Sequence, residues 1–299
     1  ACFLENLKLT GRAHATIRNQ EGCLKPFAQW LSDRELSLIN TREKDIEEYS
    51  ALVHSLKKAN GEDLTIGRKY AYLQSVLGLF GFLKKKNLIL KDPCRNIVLP
   101  RIPKQIPRDV LTPQEARKIL SMPQTGTPIG LRDKAILEIL YATGIRNSEL
   151  CNLRYYDIDF EKEVVFVYQG KGRKDRYVPI GKTSLKWVKR YLAKSREHFL
   201  YGAPKESLFL TKAGRPFINY SMTALVRHYI QLAGVKKKGS CHLFRHSMAT
   251  HMLKNGCDIR YIQEILGHVE LTTTQAYTRV DISDLKKVYL RFAPSALAG

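Results

Sequence analysis

The sequence predicts a mainly α-helical protein of two domains, the first all helical and the second α+β with a small antiparallel β-sheet. Three observations lead to this fold class. Apolar residues recur with helical spacing over most of the chain, a proline-rich segment divides it, and two short β-rich runs flank a glycine-rich turn. A chain of 299 residues is also long enough for about two domains with separate cores.

The first domain, residues 1–100, has the apolar spacing of a small helical bundle. One helix is expected after a Thr41 cap and another after a Thr65 cap. Their apolar stripes are Ile46, Tyr49, Val53 and Leu56, then Ile66, Tyr70, Leu73, Leu77 and Phe80. We interpret these stripes as the core of the bundle.

Residues 101–110 are expected to form a linker. Prolines at 100, 103 and 107 suppress helix and favour an extended connector. Directly afterwards, Thr112-Pro113-Gln114-Glu115 has the residues of a helix start, with Thr as N-cap and Glu completing a capping box. The second domain is therefore expected to cover residues 111–299.

The second domain alternates between helical and β patterns. One buried helix is predicted to end at a Gly144 cap, and a later helix is predicted to run from an Asp258 cap to Gly267. Between them, the β-rich runs 164–168 and 176–180 predict a hairpin. The residues expected to face the core are Leu131, Ala135, Ile136, Ile139, Leu140, Ala249, Met252, Leu253, Ile259, Ile262, Ile265 and Leu266.

The formal net charge of +22, with a pI near 9.8, indicates a polyanionic partner. Lys and Arg outnumber Asp and Glu on both sides of the linker, whereas a membrane-surface protein would concentrate its cations in one cluster. DNA is therefore the polyanionic partner that fits best. The alternative is that the excess charge only keeps the protein soluble. In the first domain, Lys84, Lys85 and Lys86 could contact phosphate or simply suit the negative end of a helix dipole.

Composition also excludes several classes of protein. The longest apolar runs are too short to span a membrane, so no membrane partner is expected. The six cysteines form no CxxC pair, which argues against a zinc site or a disulfide framework and favours the cytoplasm. The start at Ala1 without a signal segment suggests a trimmed N terminus. No GxxxxGK[ST] motif is present, which agrees with a reaction that needs no ATP.

Arg146 follows the Gly144 cap, and Glu149 comes three residues later, on the same face if a helix starts there. An arginine held by a glutamate would be a rigid anion clamp. The alternative is a plain surface ion pair of little energetic value.

Lys171 lies in the predicted hairpin turn, where Arg173, Lys174 and Arg176 follow it. Such a turn could lie on DNA, and a lysine with a lowered pKa can donate a proton to a leaving oxygen. A solvated basic turn is the alternative.

The segment His242-Leu243-Phe244-Arg245-His246 precedes a predicted helix. It lacks the acidic neighbour of an HExxH metal site, so we interpret it as a phosphate site in which Arg245 binds two oxygens and a histidine moves a proton. His268 follows the Gly267 cap, and Tyr277 comes nine residues later. By itself, Tyr277 would be taken as a packing residue.

Together, two arginines, two histidines, one lysine and one tyrosine suit nucleophilic transfer of a phosphodiester without a metal ion or another cofactor. Two guanidiniums can neutralise the charge that builds on the non-bridging oxygens, as a metal would. The tyrosine would form a covalent intermediate that conserves the energy of the broken bond, and a proton donor would release the sugar oxygen.

This pattern resembles the tyrosine recombinase (phage integrase) family, in particular Xer-type and mobile-element integrases. The resemblance covers essentially the whole chain and is carried by residues 142–150, the Gly170-Lys171-Gly172 turn, residues 242–246, Leu266-Gly267-His268 and Tyr277. It implies that Tyr277 forms a 3′-phosphotyrosyl link. The other implied roles are phosphate binding by Arg146 and Arg245, general acid catalysis by Lys171, proton transfer by His242, hydrogen bonding to phosphate by His268, and orientation by Glu149.

The resemblance further implies a core-binding first domain, a C-shaped clamp around DNA, and a homotetramer that exchanges strands through a Holliday junction. The apolar stripe Ile282, Leu285, Val288 and Tyr289 in the C-terminal tail could dock on a neighbouring protomer or fold back on its own domain. Asn147 and Phe244 depart from the usual family residues without removing a functional group.

We expect integration or excision of a mobile element, with Xer-type resolution of chromosome or plasmid dimers as the alternative. More distant alternatives are a type IB topoisomerase and a DNA-binding protein that has lost activity. The DNA target cannot be read from the sequence, since base readout depends on which side chains reach the grooves.

Overall fold

The computed structural model describes residues 2–102, 109–168, 175–201, 206–267 and 282–294. The chain divides into two compact units, residues 1–105 and 106–299. Most described residues are helical, and the described strands form one three-stranded antiparallel sheet. The predicted fold class, mainly α with a small antiparallel sheet, is confirmed. Among the described helices, none is both long and apolar enough to cross a membrane.

The first unit contains four described helices around an aromatic core. They are α1 (Cys2–Leu9), α2 (His14–Asp33), α3 (Glu43–Ser55) and α4 (Ile66–Lys85). Phe27 stacks on Trp30 at 6.0 Å and meets Tyr49 edge to face at 4.7 Å, measured between ring centroids. Such pairs add about 0.5–1.5 kcal/mol to the burial of their area. Most of the residues predicted as core are buried or partly buried, but Ile66 is 46% exposed because it lies in the first turn of α4.

The N-terminal caps of this unit were predicted correctly for one helix and wrongly for another. Thr65 caps α4 by accepting a hydrogen bond from the Arg68 N–H at 3.3 Å. Thr41 does not cap α3, because its hydroxyl donates to the Ser37 carbonyl. The N-cap is the next residue, Arg42, whose N–H donates to the Asp45 carboxylate at 2.7 Å, and α3 begins at Glu43.

The second unit surrounds the buried helix α6. Its described helices are α5 (Pro113–Ser121), α6 (Pro128–Thr143), α7 (Asn147–Cys151), α8 (Lys182–Lys194), α9 (Asn219–Leu232), α10 (Cys241–Lys254), α11 (Ile259–Leu266) and α12 (Ile282–Phe292). The capping box at the start of α5 is confirmed, since the Glu115 N–H donates to Thr112 Oγ1 at 3.1 Å and the Thr112 N–H donates to Glu115 Oε2 at 2.6 Å. Every apolar residue predicted for the stripe of α6 is at most 4% exposed.

The sheet has the order β1 (Ile158–Asp159), β2 (Val164–Val167) and β3 (Arg176–Pro179). Its strands are antiparallel, with Val165 opposite Val178 and Val167 opposite Arg176. The predicted hairpin strands are confirmed, and the turn between them lies outside the described residues.

Two predictions about the later helices were wrong. The segment 242–246 does not precede a helix, because α10 already begins at Cys241. The buried stripe of α10 runs through Phe244, Met248 and Met252, at intervals of four residues. Leu253 follows Met252 directly, so its side chain points to one side of that stripe and is 52% exposed. Ile259, at the start of α11, is 54% exposed.

Gly144 is required where α6 ends. Its φ is +58°, and a Cβ there would collide with Met248 Cε and lie 3.2 Å from Leu266 Cδ2. We expect Gly144→Ala to lower the free energy of unfolding by about 2 kcal/mol, from left-handed strain and overpacking. Urea titration checks this. Gly126→Ala is the control, since its Cβ would meet nothing within 4 Å and its φ is not positive. Equal effects in the two variants would contradict the argument.

Candidate active site

At the C-terminal end of α11, two arginines from different elements bind one glutamate, and a third arginine bonds the helix ends beside them. We call Arg146, Arg176, Arg245 and Glu149 the arginine cluster. The Glu149 side chain is only 5% exposed, and those of Arg146 and Arg176 are 18% and 8% exposed. The cluster is therefore assembled inside the second unit, with Arg146 more open to solvent than Arg176.

Arg146 and Glu149 are brought together by local structure. The left-handed Gly144 ends α6, and α7 begins directly after Arg146. The Arg146 N–H donates to Glu149 Oε2 at 2.9 Å, and its Nη1 donates to Glu149 Oε1 at 2.6 Å. Its Nη2 reaches the Gly267 carbonyl at 2.7 Å. The predicted pairing is confirmed, and the surface alternative is wrong because the carboxylate is buried.

Arg245 enters the cluster from the second turn of α10. Its Nη1 donates to the Gly144 carbonyl at 2.7 Å and its Nη2 to the Leu266 carbonyl at 2.8 Å. These two carbonyls belong to the ends of α6 and α11, where helices leave carbonyl groups without intrahelical partners. The guanidinium therefore joins three helices at one point.

Arg176 enters from β3 and binds Glu149 with both terminal nitrogens, at 3.0 and 2.8 Å. Its Nε donates to the Ile265 carbonyl at 3.0 Å. Sequence reasoning placed Arg176 among the cations of the hairpin turn and missed this pairing. The available signal was strand alternation, since Arg176 shares a face with the buried Val178. Its predicted DNA contact stays a prediction.

The electrostatics of the cluster favour an anion. Burial raises the pKa of Glu149, but the hydrogen bonds and charge of Arg176, followed by those of Arg146, outweigh it and bring the pKa to about 2. Burial, followed by the charge of Arg146, lowers the pKa of Arg245 to about 10. Both groups are therefore ionised near pH 7, and three guanidiniums face one carboxylate. The excess positive charge suits an incoming phosphate.

Two of the three histidines of α10 lie on its exposed side near Arg245, whereas the third, His251, is 7% exposed. His242 and His246 are both exposed as whole residues. Burial of the imidazole lowers the pKa of His246, with smaller contributions from His242 and Arg245. Among the described residues, no group of three or more His, Cys, Asp or Glu is placed to hold a metal ion.

Several predicted site residues lie outside the described residues. They are Lys171, Arg173, Lys174, His268 and Tyr277. Lys84 and Lys85 form the last turn of α4 and Lys86 follows it, and all three are exposed. Their roles stay predictions.

The C-terminal helix α12 packs on its own unit. Leu285 and Tyr289 are 4% and 1% exposed and belong to the core of the second unit, with Val288 packed against it. Lys286 pairs with Glu163 at 2.7 Å. The side chain of Ile282 is not described. The single chain thus matches the alternative in which the tail folds back, and docking on a neighbouring protomer stays a prediction.

The two departures from the family pattern both have structural roles. The Asn147 amide donates to the Asn219 carbonyl and to Thr223 Oγ1, each at 2.9 Å, and so fastens α7 to α9. Phe244 is fully buried and meets Tyr141 edge to face at 6.2 Å.

Replacing Glu149 by glutamine is expected to lower the free energy of unfolding by roughly 3 kcal/mol at pH 7, from the shift of its pKa to about 2. Because the folded-state pKa is the lower one, this contribution is complete above about pH 4.5 and is lost as the pH falls toward 2. Urea unfolding of both proteins from pH 7 to pH 3 should show the difference shrinking. A difference independent of pH would contradict this account.

Comparison with known proteins identifies the chain. The model of the phage integrase family matches residues 109–283. The chain is 38% identical to tyrosine recombinase XerC 2 of Ralstonia nicotianae, an alignment that covers 98% of this chain and 84% of that protein. It is 34% identical to tyrosine recombinase XerD of Chlorobaculum tepidum, covering 98% and 95%. The chain belongs to the phage integrase family.

Solved structures share the fold. XerH site-specific recombinase bound to its difH substrate has a TM-score of 0.68 and 22% identity, covering 96% of this chain and 80% of that one. The Tn1549 transposon integrase in complex with circular intermediate DNA has a TM-score of 0.65 and 21% identity, covering 92% and 95%. By family and fold, this protein is a tyrosine recombinase, an enzyme of site-specific recombination.

Proposed function

We propose that Tyr277 attacks the scissile phosphodiester, forming a 3′-phosphotyrosyl bond while the sugar 5′-oxygen leaves as a hydroxyl. Attack of a 5′-hydroxyl on that bond reverses the step and rejoins the DNA. The observation that carries this proposal is the arginine cluster. Its excess positive charge lies at the end of α11, next to Gly267, which is ten positions before Tyr277 in the chain.

Each remaining group has a role in the proposed reaction. Arg146 and Arg245 bind the non-bridging oxygens and stabilise the charge that builds on them. Lys171 protonates the leaving 5′-oxygen, His242 assists proton transfer with the nucleophile, and His268 hydrogen-bonds the phosphate. Because guanidiniums supply the positive charge and the protein–DNA bond conserves the energy, neither metal nor ATP enters the reaction.

We also propose that both units bind double-stranded DNA. The first unit, as a core-binding domain, would contribute Lys84, Lys85 and Lys86, and the hairpin turn would contribute Arg173 and Lys174. A basic first unit, a basic second unit and the net charge of +22 support this. The clamp around DNA and the tetramer that resolves a Holliday junction follow from the family, and the tail helix would link protomers.

Two biological roles use this chemistry. Integration or excision of a mobile element is the role that the sequence analysis favours. Relatives named XerC and XerD, 38% and 34% identical over nearly the whole chain, support the alternative of dimer resolution. Either role would place the enzyme on DNA in the cytoplasm.

The test uses nicked DNA duplexes that carry randomised or element-flanking sequence, incubated with the protein in a metal chelator and then denatured. Covalent adducts are digested with protease, the DNA-bound peptide is identified by mass spectrometry, and the trapped DNA is sequenced. DNA attached at Tyr277 would support the proposal, and the recovered sequence would separate the two roles. DNA binding without any adduct, or attachment at another residue, would overturn it.

A further inference from the structure

Arg176 uses its whole guanidinium inside the protein. Both terminal nitrogens bind the Glu149 carboxylate, and Nε binds the Ile265 carbonyl. Its side chain is 8% exposed, against 18% for Arg146. Arg176 is bonded through all three of its nitrogens, and two of those bonds go to a carboxylate that offsets its charge. Arg245 is bonded through two nitrogens, and only to neutral backbone carbonyls. Arg176 is therefore the less suited of the two to bind phosphate itself.

The partners of Arg176 belong to two different parts of the site. Glu149 lies on α7 and holds Arg146 through both the backbone and the side chain. Ile265 lies in the last turn of α11. A Cβ on Gly267 would come 3.0 Å from Arg176 Nε and 3.1 Å from its Cζ, so the guanidinium packs directly against that glycine. Arg176 thus connects Glu149, which binds Arg146, to the C-terminal end of α11.

We infer that Arg176 is a positioning residue for DNA cleavage, which fixes Arg146 through Glu149 and fixes the end of α11 before the segment that carries Tyr277. This inference rests on the proposed function, because it assigns Arg176 to the same reaction. Arg176 need not touch DNA to have this effect.

The charge of Arg176 matters as much as its shape. Glu149 can orient Arg146 without cancelling the positive charge of the cluster because a second guanidinium shares the carboxylate. Without Arg176, Glu149 would have Arg146 as its sole cationic partner among the described residues, and would compete with phosphate for the donors of that arginine. The end of α11 would also lose the bond at Ile265.

The test compares Arg176→Gln and Arg176→Lys with the wild type in single-turnover cleavage of a nicked duplex at saturating DNA. We expect Arg176→Gln to cleave about 10- to 100-fold more slowly, the usual cost of losing a group that orients a site. Arg176→Lys should recover part of the rate, since it keeps the charge but loses the two-pronged contact. A double variant with Glu149→Gln should be no slower than the slower single variant, because the two residues act as one unit.

The matched control is Arg154→Gln. Arg154 also forms a fork with a carboxylate, that of Asp157, through Nε and Nη2 at 3.0–3.3 Å, but it has no bond to Glu149 among the described residues. Its cleavage rate at saturating DNA should match the wild type.

Two further readouts separate positioning from a direct DNA contact. The dependence of DNA binding on salt should stay unchanged in Arg176→Gln, whereas loss of a direct phosphate contact would reduce the log–log salt slope by about 1. Amide hydrogen exchange of the peptide covering residues 263–267 should accelerate in Arg176→Gln and not in Arg154→Gln. Unchanged cleavage, or slower cleavage explained by weaker binding with a smaller salt slope, would overturn the inference.

Failure of the proposed function gives a different result. If the wild type forms no adduct, or Tyr277→Phe still forms one, the proposed reaction is wrong whatever Arg176 does. Hydrogen exchange then decides the positioning role without cleavage, and equal exchange in the wild type and Arg176→Gln would overturn it.

Discussion

Tyr277→Phe is expected to abolish covalent attachment to DNA, with a loss of roughly 10⁴-fold or more, as is typical when a nucleophile is removed. In the proposed reaction the phenolic oxygen of Tyr277 bonds to phosphorus, and phenylalanine has no oxygen in its place. Tyr277 is ten positions after Gly267 in the chain. Since an extended chain spans at most about 3.3–3.6 Å per residue, the nucleophile can reach the cluster. Adduct formation on nicked duplexes, measured on denaturing gels, gives the result.

Two tyrosines serve as controls for this substitution. Tyr220 is 82% exposed at the start of α9, and Tyr261 is partly buried in α11. Their phenylalanine variants should form adducts at the wild-type rate, and Tyr277→Phe should still bind DNA. Adducts that persist in Tyr277→Phe would assign the nucleophile to another residue.

Arg245→Lys is expected to slow cleavage at saturating DNA by about 10²- to 10³-fold, the usual cost of losing one donor that stabilises a developing oxyanion. The planar guanidinium bonds the Gly144 and Leu266 carbonyls with separate nitrogens, which fixes its orientation toward the cluster. An ammonium group is a single point of charge and cannot reproduce that fork. Single-turnover rates at saturating DNA provide the measurement.

The control for Arg245→Lys is Arg132→Lys. Arg132 is an equally buried arginine of the second unit, with its Nε bonded to Asp133 and its Nη1 bonded to the Leu210 carbonyl. Both variants should lose stability in urea, but only Arg245→Lys should lose catalytic rate while folded. Equal loss of rate in the two variants would mean that Arg245 matters for folding alone.

Local signals in the sequence predicted much of the fold. The caps at Thr65, Thr112 and Gly144 were predicted correctly because each depends on residues within one helical turn. The Thr41 cap was wrong because Arg42 and Asp45, equally local, form a better competing start. The misplacement of Leu253 has another cause. Several apolar residues of α10 could lie on its buried face, and the neighbouring helices decide which do.

The sequence by itself determined the fold class, the hairpin strands and the pairing of Arg146 with Glu149, since helix geometry brings residues three apart onto one face. Only the tertiary structure decided that Arg176 and Arg245 join them. Arg176 is 27 residues from Glu149 and Arg245 is 101 residues from Gly144. Contacts over such separations depend on how whole elements pack. Backbone carbonyls at helix ends, which accept most of these bonds, carry no side-chain signature in the sequence.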